Sequence, residues 1–192
     1  MKNLQDVYPL SPLQHGMLFH TLFAPGSGVY SVHISSSISG NFSVFHFKRA
    51  WQKILDRHPI LRSAFLWERV ESPLQVVREE LSLSWDERDW RNLPEHTQNQ
   101  QLQDYLMEQH HRGFDLAQAP LIRMALMRLG EKQYHFVWNY SHLLLDGWSV
   151  NIIFAELFQY YAAYADGRDL ELPPPKPYRD FIAWLRQQNR SR

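Results

Sequence analysis

The feature that most constrains the fold is a change of hydrophobic period between residues 133 and 164. Over residues 133–142, large side chains recur at every second position, which is the period of a β-strand. Over residues 148–164 they recur at spacings of three, four and seven, which is the pattern of an α-helix. The strand set is Tyr134, Phe136, Trp138, Tyr140 and His142; the helix set is Val150, Ile153, Phe154, Leu157, Tyr160, Tyr161 and Tyr164. A strand that leads directly into a helix predicts a fold that mixes α and β structure.

Further helices and strands are predicted along the rest of the chain. Ser11 can cap a helix whose first turn holds Pro12, and Ser43 can cap an amphipathic helix that ends at Pro59. The helices are expected after Ser11, over residues 43–58 and 94–111, and from Tyr178 onward. The strands are expected over residues 29–38, 60–67 and 121–129, with a further strand or hairpin over 75–85.

The composition excludes several classes of protein. The 192 residues suffice for one domain or one lobe of a larger domain. The lack of cysteine excludes disulfides, thiolate nucleophiles and zinc–thiolate sites, and it fits a soluble cytoplasmic protein. The net charge is zero with Lys and Arg scattered, and no segment has the character of a signal peptide or membrane span, so neither nucleic acid nor membrane is expected as a partner. Aromatic residues, 14% of the chain, either fill a core or line a tunnel for an organic substrate.

The stretch YSHLLLDGWS, residues 140–149, contains the candidate functional residues. His142 ends the predicted strand, and Asp146 lies in the turn before the helix, where side chains reach the edge of a sheet. An imidazole with its ordinary pKa of about 6.5 could accept a proton there, or it could be a hydrogen-bonded structural group. Asp146 could cap the helix or pair with a distant cation. One histidine and one aspartate are too few for a metal site, so no metal is predicted.

A second histidine cluster, HHRGFD at residues 110–115, is interpreted as structural. Its two histidines fall at the end of the predicted polar helix, where positive charge suits the negative end of the helix dipole. Gly113 is expected to stop that helix.

Four motifs occur in a fixed order along the chain, and their combination is more specific than any one of them. They are YPLSPLQHGMLFH (8–20), RHPILRSAF (57–65), SHLLLDGWS (141–149) and YRDFIAW (178–184), with RGFDLAQAPLIR (112–123) between them. In this order they resemble the motifs of condensation domains of nonribosomal peptide synthetases, which are relatives of chloramphenicol acetyltransferase. The second is similar to RHExLRTxF with Pro59 in place of the glutamate. The third is similar to HHxxxDGxS with Ser141 in place of the first histidine.

The resemblance implies an α+β fold of the chloramphenicol acetyltransferase type, a mixed β-sheet flanked by helices. A domain of this family is a V of two similar lobes, with the active site in a tunnel between them. The chain is about as long as the first lobe, so residues 1–192 are expected to be an N-terminal lobe. Residues 177–192 would begin the crossing to an absent C-terminal lobe, and the lobe alone is expected to be inactive.

The implied activity is amide bond formation between a donor acyl or peptidyl thioester and an acceptor aminoacyl thioester. Both substrates hang on the 4′-phosphopantetheine arms of upstream and downstream peptidyl carrier domains, and an adjacent adenylation domain is also implied. The chain itself is expected to bind no cofactor. By resemblance, the second motif histidine is His142, which would take a proton from the acceptor ammonium or stabilise the charged intermediate.

The resemblance also implies supporting roles for other residues. Asp146 is expected to form a bidentate pair with Arg62 and so fix the active-site loop. Gly147 would leave room for backbone near the tunnel, and Trp148 would form part of its wall. Ser141, which the alternation places on the opposite side of the strand from His142, would support the loop from behind.

The motifs DGWS and SPLQHGMLFH favour the subtype that joins an L-configured donor to an L-configured acceptor. Two other hypotheses stay open. The chain could be a docking or scaffold lobe that has lost activity, of which Ser141 would be the sign. It could also belong to an acyltransferase of the same fold that forms an ester with a hydroxyl acceptor.

Overall fold

The computed structural model describes residues 3–190 of the chain and the side chains of residues 3–188. Residues 191 and 192, the end of the predicted crossing, lie outside the described residues. The strands are β1 (Asp6–Pro9), β2 (Ser31–Ser39), β3 (Ser63–Leu66), β4 (Leu74–Val77), β5 (Trp85–Asp89), β6 (Ile122–Gly130) and β7 (Gln133–Ser141). The helices are α1 (Pro12–Phe23), α2 (Val44–Arg57), α3 (Glu95–Arg112), α4 (Gly147–Ala165) and α5 (Tyr178–Arg190), with a 3-10 turn at Pro59–Arg62.

The strands form two sheets. The larger sheet has the order β2-β7-β6-β5, with β5 parallel to β6 and the other neighbours antiparallel. The smaller sheet has the order β1-β4-β3 and is antiparallel. In the larger sheet, Ser141 at the end of β7 lies opposite Ser31 at the start of β2. This register brings the beginning of β2 beside the point where the chain leaves β7 toward His142.

The alternation predicted along the β7 strand is confirmed, and both of its faces are covered. On one face Trp138 packs against Trp51 of α2, with ring centroids 4.8 Å apart. On the other face Val137 belongs to a separate apolar cluster that includes Tyr105 of α3. Residues 136–141 are therefore buried without interruption, so the site at the end of β7 rests on a rigid base.

The helix starts predicted at Ser11 and Ser43 are confirmed. The Ser11 hydroxyl accepts a hydrogen bond from the Gln14 backbone at 3.2 Å, and the Gln14 side chain accepts one from the Ser11 backbone at 3.0 Å. This reciprocal pair is a capping box. The Ser43 hydroxyl accepts a hydrogen bond from the His46 backbone and caps α2.

Two strand predictions need correction, and one strand is not predicted. The strand expected over residues 60–67 begins only at Ser63, because Pro59 starts a 3-10 turn between α2 and β3. The strand or hairpin expected over residues 75–85 is instead two short strands, β4 and β5, in different sheets. The sequence does not predict β1, because four residues with only one of them buried are too short to show a period.

The last helix is confirmed, and it packs on the smaller sheet. Ile182 of α5 joins a buried cluster with Tyr8 of β1 and Val77 of β4. Arg179 of α5 pairs with Asp6 at 3.0 Å. Residues 171–177 lead from α4 toward α5 without regular structure, as the run of prolines predicts.

Candidate active site

His142 lies directly after β7, at the corner between the larger sheet and α4. Its backbone N–H donates to the Tyr30 carbonyl at 2.8 Å, which continues the pairing of β2 with β7 by one step. The imidazole is partly buried, and its Nδ1 is buried with no hydrogen-bond partner within residues 3–190. No hydrogen bond from this part of the chain therefore fixes the orientation of the ring through that nitrogen.

The loop that follows His142 is fixed by hydrogen bonds from both sides. The Leu144 N–H donates to the Ser141 carbonyl at 2.9 Å, and the Leu143 N–H donates to the Ser141 hydroxyl at 3.4 Å. The Leu143 carbonyl accepts a hydrogen bond from the Gln14 side chain at 2.9 Å. Tyr30 therefore holds the backbone at His142 itself, and Gln14 holds it one residue later.

Gln14 belongs to a buried pair of amides that sequence reasoning does not single out. The Gln14 and Gln75 side chains donate to each other at 3.1 and 2.9 Å, and both are almost fully buried. Gln75 also donates to the Pro9 carbonyl at 3.3 Å. Since a fully satisfied buried network is rigid, it connects α1, β4 and the loop after His142. The one available signal is the Ser11–Gln14 capping box, which places Gln14 at the start of a helix but not at the site.

The capping role predicted as one possibility for Asp146 is confirmed. Its Oδ1 accepts hydrogen bonds from the Ser149 backbone at 2.8 Å and from the Ser149 hydroxyl at 2.7 Å. These two hydrogen bonds, the backbone one first, lower the pKa of Asp146 against the smaller opposing effect of burial.

The expected pair between Asp146 and Arg62 is not formed, because each side chain is satisfied elsewhere. Arg62 is 4% exposed and its guanidinium faces the end of α2. It donates four hydrogen bonds, to the carbonyls of Leu55 at 3.0 Å, Asp56 at 2.7 Å and Arg78 at 3.1 Å and to the side chain of Gln5 at 2.7 Å. Burial lowers the pKa of Arg62, with Asp56 opposing it. The last carbonyls of a helix carry partial negative charge, so they stabilise this cation and tie α2 to β3.

Ser141, the last residue of β7, is buried. It lines a cavity of about 250 Å³ whose other walls include Trp67 and Phe114, and His142 does not line this cavity. The hydroxyl of Ser141 accepts a hydrogen bond from the N–H of Leu143, the first residue of the loop after His142.

Gly147 and Trp148, the residues expected to border a tunnel, begin α4. A Cβ on Gly147 would meet no atom within 4 Å, so no backbone of the described chain approaches it closely. Trp148 is 83% exposed. Their roles beside a tunnel stay predictions, because these residues need a facing surface to enclose anything.

The HHRGFD stretch lies at the end of α3, where the sequence predicts it. Gly113 ends α3 with a φ of +55°, a conformation that favours glycine. His111 donates through Nδ1 to the Met107 carbonyl at 2.9 Å, one helical turn earlier. No group of histidine, aspartate and glutamate residues within residues 3–190 has the geometry to hold a metal ion.

A charged cluster that the sequence does not reveal holds the proline connector. Glu156 of α4 accepts hydrogen bonds from Arg57 at 2.8 and 3.1 Å and from His58 at 2.6 Å. Burial would raise the pKa of Glu156, but the hydrogen bonds from Arg57 and His58 outweigh it and lower that pKa. Burial lowers the pKa of His58, against the effect of Glu156. Arg57 also donates to the carbonyls of Leu172 and Pro173, which fixes the connector beside α4.

Solved structures place this geometry in the chloramphenicol acetyltransferase-like α+β fold, in agreement with the expected class. The first condensation domain of the calcium-dependent antibiotic synthetase matches with a TM-score of 0.84 at 17% identity, covering 96% of this chain and 44% of that one. The starter condensation domain of rhizomide synthetase RzmA matches with a TM-score of 0.83 at 20% identity, covering 95% and 45%. The EpoB cyclization-docking bidomain from Sorangium cellulosum matches at 0.80 and 22%, covering 97% and 37%.

The family model described as Condensation domain matches residues 4–192. The chain therefore belongs to the condensation domain family. A linear gramicidin synthase of Brevibacillus parabrevis is 44% identical over 191 residues, which are 100% of this chain and 4% of the relative. Surfactin synthase subunit 3 of Bacillus subtilis (strain 168) is 35% identical over 187 residues, which are 97% of this chain and 15% of the relative. The chain therefore spans only a small part of these synthases. Within residues 3–190 no helix is both long and apolar enough to cross a bilayer.

Proposed function

We propose that this chain is the N-terminal lobe of a condensation domain that forms an amide bond in nonribosomal peptide synthesis. The donor is an acyl or peptidyl thioester and the acceptor is an aminoacyl thioester, each on the phosphopantetheine arm of a carrier domain. Membership of the condensation domain family over residues 4–192 supports this proposal. The observation that carries it is the position of His142 at the end of a buried strand, partly buried and with an unpartnered Nδ1 among the described residues.

The assignment as one lobe is supported by coverage and by exposed apolar surface. The chain covers 44% and 45% of the two condensation domain structures that it matches at 17% and 20% identity. On α4, Trp148 and Ile152 are 83% and 56% exposed. Large apolar side chains that share a helix and face water indicate a surface that another element covers. In this proposal the C-terminal lobe covers it and supplies the second wall of the tunnel.

His142 acts on the acceptor amine in this proposal. An α-ammonium group has a pKa of about 8 and becomes a nucleophile only when it loses a proton. A neutral imidazole takes that proton, or it holds the amine and stabilises the charge of the tetrahedral intermediate. The new C–N bond forms at the donor carbonyl, the C–S bond breaks, and the donor thiol leaves with a proton. The lobe binds no cofactor of its own, and the carrier domains supply the phosphopantetheine.

The motifs DGWS (146–149) and SPLQHGMLFH (11–20) support assignment to the L-donor to L-acceptor subtype. It is tested with donors of both configurations on the same upstream carrier. A domain of this subtype should condense the L-configured donor faster, and an equal rate with both donors would contradict the assignment.

The test of the proposed function is His142→Ala in the complete two-lobe domain, assayed with loaded carrier domains. Amide formation should fall to a small fraction of the parental rate, while the melting temperature should change little. His96→Ala, at an exposed position in α3, is the matched control and should keep the parental rate. Condensation by the His142 variant at a near-parental rate would show that another group carries the reaction.

The same assay separates the proposal from its rivals. The scaffold hypothesis is favoured by Ser141 at the first motif position, and it predicts no product from the parent domain. The ester hypothesis predicts product only when the acceptor carrier presents a hydroxyl. The isolated 192-residue chain should give neither product, because half of the tunnel that would bring the substrates together is absent.

A further inference from the structure

Tyr30, which connects the loop before β2 to His142, has a strained backbone. Its φ is +62°, a left-handed conformation in which a bulky aromatic residue is an outlier. The turn is closed by a hydrogen bond from the Ser31 N–H to the Gly28 carbonyl at 2.9 Å, so Tyr30 is the third residue of four. Glycine is the unstrained choice where that position has a positive φ. A tyrosine there indicates that the side chain has a use, since strained residues cluster at functional sites.

Three contacts of Tyr30 converge on the candidate site. Its carbonyl accepts the hydrogen bond from the His142 N–H at 2.8 Å. Its ring meets the imidazole of His142 edge to face, with centroids 6.5 Å apart at an angle of 85°. Its hydroxyl lies 3.1 Å from Nδ1 of His20, and the two rings stack with centroids 6.2 Å apart at 10°. Tyr30 thus touches His142 through both backbone and ring, while His20 of α1 holds the far end of the tyrosine.

The orientation of the imidazole needs such a contact. In many catalytic sites a hydrogen bond to the second ring nitrogen of a histidine fixes the ring. Nδ1 of His142 is buried and has no such partner within the described residues. The orientation of the His142 ring is therefore set by packing, and its edge-to-face contact with the Tyr30 ring is part of that packing.

We propose that Tyr30 is a positioning residue for His142, holding the imidazole by its ring and the backbone by its carbonyl. This inference rests on the proposed catalytic role of His142. In this proposal the strained turn at residues 28–31 serves to position His142 for the reaction and does not serve to stabilise the fold.

The test compares Tyr30→Phe and Tyr30→Gly in the complete two-lobe domain, with loaded carriers in single turnover, well below both melting temperatures. Tyr30→Phe keeps the ring and should retain the rate to within about threefold, since it loses one exposed hydrogen bond, the one to His20. Tyr30→Gly relieves the strain but removes the ring. Its rate at saturating carrier should fall roughly tenfold or more, because a small misplacement of a catalytic group is costly. The carrier concentration that gives half the maximal rate should not change.

Arg69→Gly is the matched control for backbone strain. Arg69 has a φ of +58° and is exposed in the turn between β3 and β4, so its replacement relieves similar strain away from His142. The control should keep the parental rate. If Tyr30→Gly also keeps that rate, or loses it only in proportion to its unfolded fraction, Tyr30 is a structural residue and the inference fails. A rise in the half-saturating carrier concentration at an unchanged maximal rate would assign Tyr30 to substrate binding and would also overturn it.

His142→Ala, measured beside these variants, tests the role of His142 separately from the role of Tyr30. If His142→Ala abolishes condensation and Tyr30→Gly does not slow it, the inference about Tyr30 fails alone. If His142→Ala leaves condensation intact, the proposed function of His142 fails, and with it the reason to position that ring.

Discussion

Arg62 gives a direct test of what fixes the corner between α2 and β3. Its guanidinium donates four hydrogen bonds, of which the one to the Leu55 carbonyl at 3.0 Å is fully buried. Arg62→Met keeps an apolar stem but removes every donor. A buried acceptor left without a partner costs about 1–3 kcal/mol, and each of the three partly buried acceptors adds about 0.5 kcal/mol because water reaches it. We therefore expect a loss of roughly 3 kcal/mol in the free energy of unfolding.

The assay is thermal and urea unfolding of the 192-residue chain at concentrations where it is verified to be a monomer. A loss of roughly 3 kcal/mol should lower the melting temperature by roughly 6–12 °C for a chain of this length. The control is Arg168→Met, which removes an ion pair with Asp166 whose two side chains are 64% and 62% exposed. That change should cost under about 1 kcal/mol.

Two results would refute this reasoning about Arg62. A cost no larger than that of the Arg168 control would show that the guanidinium does not bridge the corner. A strongly non-additive effect of Arg62→Met and Asp146→Asn on the free energy of unfolding would show that the pair expected from the family resemblance does form. Because the two side chains have separate partners, the costs of Arg62→Met and Asp146→Asn should add to within about 0.5 kcal/mol.

Three further changes test the loop around His142. Asp146→Ala should cost about 1 kcal/mol at neutral pH through loss of the helix cap. Because the folded pKa of Asp146 is depressed, this difference should be present above the unfolded value of about 3.9 and disappear as the pH falls through the folded pKa. Urea unfolding at a series of pH values measures it, and a difference that persists in acid would contradict the cap. Ser141→His should change the single-turnover rate of the two-lobe domain by less than about tenfold, since the side chain faces a cavity; a large gain from an inactive parent would favour the scaffold hypothesis. Gln14→Leu should cost roughly 2 kcal/mol or more, because the Leu143 carbonyl and the Gln75 amide lose their partner. The double variant Gln14→Leu/Gln75→Leu should cost less than the sum of the two single changes, and strict additivity in unfolding would argue against the reciprocal pair.

Much of the fold can be predicted because its helices and its central strand have strong periods. The alternation predicts Trp138 and Val137 on opposite faces of β7, and they pack into separate clusters. The caps at Ser11 and Ser43 are local features that involve residues three positions apart. The short strands are harder to predict, because β1 pairs with β4 across about 70 residues and neither has enough residues to show a pattern.

In the candidate site, too, the local features can be predicted from the sequence and the long-range contacts cannot. The positions of His142 and Asp146 at a strand end and a helix start follow from the local sequence. The partners of these residues do not, because they come from distant segments: Tyr30 and Gln14 reach the loop across more than 100 positions. The expected pair of Arg62 and Asp146 rests on family resemblance alone. The structure satisfies Arg62 with nearby carbonyls, a choice that residue types cannot reveal.

The exposed indole at the first turn of α4 has an optical consequence. Of the seven tryptophans, Trp148 and Trp184 are exposed at 83% and 52%, whereas Trp51 and Trp138 are sealed from water. An indole that leaves water emits at shorter wavelength, and dissolved iodide no longer quenches it. A surface that closes over the start of α4 would therefore shift the emission of Trp148 to the blue and protect it from iodide. In a Trp184→Phe variant, which removes the other strongly exposed indole, the change in emission would report on the start of α4, two residues from the helix cap at Asp146, without an added dye.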